Sequence, residues 1–326
     1  MVSLTIKNYR LLPFNMQTKV LMERYLALVE TELSDYTFAQ NYVWLMYSSG
    51  FYAIVNDTFC LFLLSGEELT MLLPPLGEKD RAHDALLECF EIMNTHNSSI
   101  YYSRIDYVGD SFLQSFVNFL EEGTEIFEIL ESYIVEKKYV DYVYFTDDLI
   151  DLKGNAYHTK RNEINKFRKA YPNTSVEMLD PLKHGDAIMA LLNRWIANRL
   201  RYIPRDHTEM FLDGISNERF AIKRILKHYE DMALIGIVLK IDDDLAGFTV
   251  GEKFREHTAS VLIEKTDFDI LGSAQYIFRE FCKVLKAEYN CQYINVGDDM
   301  GFENLKKVKM SYRPHKLYAK YTIYQK

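Results

Sequence analysis

The stretch ALIGIVLKIDDDLAGFTVGEKFREHTASVLIE, residues 233 to 264, is where the fold is decided. It divides into three runs rich in branched and aromatic residues, Ala233–Ile241, Leu245–Lys253 and Thr258–Glu264, with Asp242-Asp243-Asp244 as the first turn. Runs of that composition joined by turns that short predict an antiparallel meander. Downstream, the spacing predicts a helix over Gly272–Tyr289, a strand at Gln292–Val296, a helix near Phe302–Lys309 and a last strand at Leu317–Tyr324. Upstream it predicts a helix over Tyr157–Ala170, closed by Tyr171-Pro172, a short strand at Ser175–Leu179, and helices over Pro181–Arg201 and Thr208–Tyr229.

The first half reads in the same order. Helices are expected over Phe14–Glu30 and Phe38–Tyr47, then strands Phe51–Val55, Thr58–Leu64 and Leu69–Leu73, turned by Asn56-Asp57 and Ser65-Gly66-Glu67. After Pro74-Pro75 come a helix (Asp80–Asn94), a strand (Ile100–Ile105), a helix (Ser111–Leu120) and two Tyr-rich strands, Phe127–Val135 and Tyr139–Phe145. An α+β chain of two tandem domains, 1–150 and 151–326, follows from this repetition, and a length of 326 residues suits it. The net charge of −9 hides an asymmetry: residues 1–150 carry 9 Lys and Arg against 23 Asp and Glu, whereas 151–326 carry 29 against 24. The second half is therefore basic and the better host for an anionic substrate.

Several function classes drop out. The N-terminal residues lack the apolar core of a secretory signal, and the longest apolar run, near Phe59–Leu64, is far below the roughly 20 residues that span a bilayer. Cys60, Cys89, Cys282 and Cys291 are isolated, as reduced core thiols of a cytoplasmic protein would be. No HExxH, P-loop, GxSxG or Cys-His pattern occurs, and the Asp242-x-Asp244 run fails as a calcium loop because its twelfth position is Lys253. A soluble, cytoplasmic protein without a metal site is the expectation.

The order of elements in each half (two helices, three antiparallel strands, helix, strand, helix, closing strands) resembles the GCN5-related N-acetyltransferases. That resemblance implies that the fourth strand splays from the fifth and that the helix between them offers its N-terminus to an anionic donor. Ala246-Gly247-Phe248, Glu264-Lys265-Thr266-Asp267, Gly272, Ile294-Asn295, Asp298-Asp299-Met300-Gly301, Leu305–Tyr312 and Pro314, together with Asp141–Tyr144, Gly154 and Tyr157–Phe167, resemble the soluble branch of the phosphatidylglycerol lysyltransferase C-terminal domain family. The likeness runs along nearly the whole chain. It implies tandem acyltransferase-like domains related to the Fem peptidyltransferases, which use aminoacyl-tRNA. Where the membrane lysyltransferases follow their fifth strand with Asn-Leu-Gly-Met-Ala-Pro-Leu, this chain has Asn295-Val296-Gly297-Asp298-Asp299-Met300-Gly301, matching only at Asn295 and Gly297.

Candidate site residues fall in three groups. On the helix Tyr157–Ala170, about 100° per residue brings Arg161 and Arg168 onto the stripe with Tyr157 and Ile164. An arginine there needs a carboxylate or a bound anion, so Arg161, Arg168 and the neighbouring Lys160 are candidates for a substrate phosphate, with an internal ion pair as the other reading. The second group is Glu264 as general base and Lys265 as the cation for an oxyanion, or else the two as an ion pair at a sheet edge. It continues into Gly272 and Ser273, which fit the last part of the acetyltransferase (Gln/Arg)-x-x-Gly-x-(Gly/Ala) pyrophosphate loop. Asp269 stands at that loop's first position, where its charge would repel a diphosphate, and Asp267 or Asp269 would also suit a helix cap. The third group is Asn295, with Asp298 as a base, Tyr312 as a proton donor and Lys307 among the basic residues; here Asp298 and Asp299 also suit a cap for the following helix.

Two functions are compatible with these residues. One is a transferase carrying an aminoacyl group from aminoacyl-tRNA, or an acyl group from coenzyme A, to an amine or hydroxyl on a small molecule, lipid headgroup or peptide. The other is a catalytically inactive tandem module that binds or regulates.

Overall fold

The computed structural model describes residues 3–45, 49–123, 132–201 and 208–326. The chain forms two compact units, Met1–Asp141 together with Tyr318–Lys326, and Tyr142–Leu317.

Unit 1 begins with an edge hairpin, β1 (Leu4–Ile6) and β2 (Tyr9–Pro13), before α1 (Lys19–Leu26) and α2 (Phe38–Trp44). Strand β2 pairs with β3 (Ser49–Val55), and the expected first helix starts late because Phe14 still donates to the Gly50 carbonyl and a short 3-10 turn, Met16–Thr18, capped by Asn15, intervenes. Strands β3, β4 (Thr58–Ser65) and β5 (Glu68–Met71) form the anticipated meander. Asn56 and Asp57 turn its first hairpin with φ of 46° and 57°, the left-handed pair that matches strand twist. Next come α3 (Lys79–His96), β6 (Arg104–Gly109) and α4 (Asp110–Gly123). Ile100–Tyr102, expected to open a strand, is instead a 3-10 turn capped by Ser99, which pushes the strand to Arg104. The two Tyr-rich strands are a single one, β7 (Tyr133–Phe145), and residues 127–131 of the expected Phe127–Val135 strand lie outside the described residues. Residues 46–47 of the expected second helix do too. Within this unit the parallel partners β5 and β6 touch only at Met71 and Ile105. A core of Leu11, Phe62, Phe90, Ile105, Val108, Phe116 and Ile323 covers one face of the sheet. Burying each such side chain contributes about 1.5–3 kcal/mol.

Unit 2 opens with α5 (Thr146–Asp151), α6 (His158–Ala170), the edge strand β8 (Thr174–Met178), α7 (Pro181–Leu200) and α8 (Thr208–Lys227). Its meander is β9 (Ile235–Ile241), β10 (Asp244–Arg255) and β11 (Thr258–Thr266), followed by α9 (Ser273–Tyr289), β12 (Tyr293–Asn295) and α10 (Glu303–Met310). The last strand, β13 (Lys316–Gln325), leaves this unit at Leu317 and pairs with β6 in unit 1. Asp242 and Asp243, at φ 48° and 69°, repeat the hairpin geometry of the first unit. Midway along β10 the register shifts between Val250 and Gly251, where a Cβ would lie 2.1 Å from the Ser260 carbonyl oxygen, so only glycine lets the two backbones approach. The result is the expected α+β fold, a mostly antiparallel sheet flanked by helices in each unit.

Candidate active site

The opening in unit 2 comes from a mismatch in strand length. Strand β12 runs parallel to β11 only from Thr258 to Ser260, and ends at Asn295. The remainder of β11, from Val261 to Thr266, has lost that neighbour, and a cleft of about 370 Å³ forms along its end. Its walls are Trp195 of α7, Glu264–Phe268, and the loop from Ile270 through Gly272 into the first residues of α9, Ser273–Gln275.

Gly272 sets the mouth of that helix. It stands at the N-cap with φ 85°, and a Cβ there would sit 2.6 Å from the Glu163 carbonyl oxygen and 2.9 Å from the Phe167 Cβ. Glycine thus allows α9 to start flush against α6. No side chain caps the helix, so the positive end of its dipole faces the cleft. Asp267 and Asp269 are occupied elsewhere: Asp267 receives the Asp269 N–H and pairs with Arg194 at 3.5 Å, and Asp269 accepts a bond from Asn198 at 2.8 Å. Neither caps α9. The Ser273 hydroxyl is turned back to the Ile270 carbonyl, at 2.6 Å.

Glu264 and Lys265 lie on opposite faces of β11, as strand alternation demands. The Glu264 carboxylate accepts one hydrogen bond from Thr249 Oγ1, at 3.0 Å, and desolvation raises its pKa from 4.5 to about 7 against that opposing bond. Its charge is felt by the buried Cys282 thiol and by the Tyr312 phenol. Burial first, and Glu264 and Glu163 next, push the Tyr312 phenol well above its usual value. Lys160 completes the group, its ammonium 4.5 Å from the centre of the Tyr312 ring and 3.8 Å from Glu163. Three of the sequence candidates, Glu264, Tyr312 and Lys160, therefore share one neighbourhood.

Lys265 belongs to a different one. Its ammonium pairs with Glu218 of α8 at 2.7 Å and sits 3.5 Å above the Trp195 ring. Burial lowers its pKa, with Glu218 acting in the other direction. The ion pair anticipated between Glu264 and Lys265 does not form, because adjacent strand positions point apart. Trp195, Glu218, Arg194 and Thr249 were not found from sequence; each reaches the site from a distant element and stands in no motif.

The family model of the phosphatidylglycerol lysyltransferase C-terminal domain matches residues 26–324. The chain belongs to the phosphatidylglycerol lysyltransferase C-terminal family. Among solved structures it resembles a conserved protein of unknown function from Bacteroides thetaiotaomicron, at 24% identity and TM-score 0.79, over 99% of this chain and 100% of that one. It also resembles the C-terminal domain of a putative lysylphosphatidylglycerol synthetase from Agrobacterium fabrum, at 13% identity and TM-score 0.65 over 96% and 92% of the two chains. A third likeness is to L-PGS from Bacillus licheniformis, at 14% and 0.63 over 94% and 91%. A tandem GNAT protein of the clavulanic acid pathway aligns over 98% of both chains at TM-score 0.50, which shows the tandem acyltransferase-like fold. No curated protein matches the chain by sequence. Among the described residues no helix is long and apolar enough to cross a membrane.

The remaining candidates in this member of the lysyltransferase C-terminal family stand outside the cleft walls. Arg161 donates to the Leu152 carbonyl and, at 2.7 Å, to that of Gly154, so it clasps the loop before α6 in place of a carboxylate. Arg168 is exposed. The buried residues of α6 are Ile164 and Phe167, and Phe167 draws the buried stripe about 30° from the line through Tyr157 and Ile164. Both arginines are thereby left on its flank. Asn295 is buried and accepts the Gly297 N–H at 2.8 Å. Asp298 and Asp299 accept the N–H groups of Met300 and Gly301, at 2.8 and 3.0 Å, and Tyr142 donates to Asp299. These bonds build a tight turn; the helix α10 that follows has Phe302 at its N-cap and no side-chain cap. Lys309 fastens the same turn from below, donating to the carbonyls of Val296, Gly297 and Asp298. Lys307 is exposed on α10.

Proposed function

We propose that unit 2 is an acyl- or aminoacyltransferase domain whose reaction takes place at the cleft beside Glu264. The observation that carries this reading is the Glu264 carboxyl on the end of β11 that β12 leaves unpaired, its pKa raised by burial to about 7, in a cleft that the uncapped first turn of α9 also lines. A base with that pKa is about half ionised at neutral pH, where it both holds and accepts a proton readily. In the transfer, Glu264 takes the proton from the attacking amine or hydroxyl as the new bond to the acyl carbon forms. The ester or thioester bond to the donor breaks, and the departing oxygen or sulfur collects a proton. Tyr312, whose phenol stays protonated and whose ring lies 4.5 Å from the Lys160 ammonium, suits a relay that passes the proton Glu264 has taken on to the departing atom, which leaves both side chains as they began. The α9 N-terminus with Ser273 and Gly272 suits the donor's phosphate groups.

Aminoacyl-tRNA is the donor we favour. The family membership supports it; acyl-coenzyme A is the alternative donor for the same cleft. A small-molecule amine, a lipid headgroup or a peptide remains the class of acceptor. A catalytically inactive binding module is a second reading, favoured by the turn at Asp298 and Asp299, where both carboxylates are spent on backbone N–H groups. Thermal shift with lysyl-tRNA, uncharged tRNA, coenzyme A and acetyl-coenzyme A separates the readings. A rise of several degrees is expected with one donor class, and the absence of any rise at saturating concentration removes the transferase assignment.

A further inference from the structure

A second cleft, in unit 1, has chemistry of its own. It lies where β5 and β6 part company after their single pairing at Met71 and Ile105, and it measures about 160 Å³. Leu45, Leu63 and Leu72 form its apolar wall, Trp44 and Tyr107 its aromatic one, and Asp35, Gln40 and Asn41 its polar one. The polar wall is built and buried. Asp35 is 5% exposed and pairs with the ammonium of Lys320, itself 1% exposed, which also pairs with Asp141 at 2.6 Å. Two carboxylates thus share one ammonium.

Asn41 supplies an independent observation. It is 5% exposed, and its amide group is committed to the carbonyls of Asp35 and Thr37, both at 2.7 Å. The same bonds fix which end of the carboxamide is which, and its Oδ1 has no donor among the described residues. Neither does the side chain of Gln40 have a partner there. Tyr107, opposite, is held at φ 50°, an unusual backbone for a bulky residue, and its carbonyl receives the Tyr36 hydroxyl at 3.0 Å. The strained backbone and that bond keep the ring at the cleft wall and 5.2 Å from the Lys320 ammonium.

We propose that this cleft binds a small organic ammonium, one carrying a short apolar chain. An ammonium would donate to Asn41 Oδ1, be attracted by the Asp35 carboxylate in the polar wall, and lie against the Trp44 and Tyr107 rings, whose faces attract cations. Its alkyl part would cover Leu45, Leu63 and Leu72. The volume is close to that of cavities which admit a benzene ring, so a ligand of roughly five to eight non-hydrogen atoms is the right scale. An anion is disfavoured, because the described residues that line the cleft include the Asp35 carboxylate and no cationic side chain, and the Lys320 ammonium is shared by two carboxylates.

The test uses the full chain with n-butylammonium as the probe, and 1-butanol and butyrate as the neutral and anionic controls. Calorimetry and thermal shift should show binding and a rise in Tm for butylammonium alone. Trp44→Ala, at a partly exposed position, and Asn41→Leu should each weaken that binding roughly tenfold with the circular dichroism spectrum unchanged; if Asn41→Leu fails to fold, Trp44→Ala decides. Equal binding of butanol would mean an apolar void and overturn the proposal. So would an absence of butylammonium binding, or binding that Trp44→Ala leaves intact. Glu264→Gln should bind the probe like the parent, which keeps this result separate from the transfer reaction.

Discussion

Glu264 is a carboxylic acid placed where water cannot easily follow its charge. In the unfolded chain it ionises near 4.5 and in the fold near 7, so the folded state holds the proton more tightly. Its contribution to stability is complete below about pH 4.5 and is lost as the pH rises through 7. Glu264→Gln should therefore be more stable than the parent at pH 8, by on the order of 3 kcal/mol at most, and equal to it near pH 4, as urea midpoints at the two pH values would show. The same substitution should lower transfer by roughly 10²- to 10⁴-fold and remove the limb of the pH–rate profile near 7. Sequence alone reached Glu264 because a strand alternates its faces and because the residue precedes the helix that follows the meander. It could not reach Thr249, which sets the lone hydrogen bond to Glu264 across the β10–β11 pairing, nor Glu218, which holds Lys265 from 47 positions away. At Arg161 helical periodicity marks a cation near the buried face but not its partners, which are two carbonyls of a loop, and carbonyl positions leave no mark in composition.

At the scale of elements, the meanders and their turns were readable because Asn56-Asp57 and Asp242-Asp243 carry the left-handed conformations that short hairpins need. The edge hairpin of β1 and β2 was not, since three- and five-residue strands are too short to establish a period of two. The helix α9 is the element on which the cleft depends. Gly272→Ala should shift or tilt it, because the new methyl group meets the Glu163 carbonyl and the backbone is already left-handed. A loss of about 2 kcal/mol or more is expected, together with weaker donor binding, and both can be read from urea titration and thermal shift with the donor. Lys309 plays a comparable part for the turn after β12. Lys309→Met should free the carbonyls of Val296, Gly297 and Asp298 and cost on the order of 1–3 kcal/mol, with raised amide exchange confined to residues 296–301.

For the whole molecule, the sequence reading set its division at residue 150, where charge and element order both change, whereas the compact units part after Asp141 and return Tyr318–Lys326 to the first. That return rests on pairing between β13 and β6, more than 200 positions apart, and no local pattern announces it. Lys320 makes it matter. Lys320→Met leaves Asp35 and Asp141 buried without their shared cation, and should destabilise unit 1 by about 3–5 kcal/mol. Hydrogen exchange should show the loss in Met1–Asp141 and spare the strands of Tyr142–Leu317. The position of β13 also orders events on the ribosome. Domains ordinarily fold as they emerge, the N-terminal one first. Here the first unit to be translated waits for the strand and the ammonium that are translated after the second, so its acidic interior stays open to water, chaperones and proteases until all of Tyr142–Leu317 has been made.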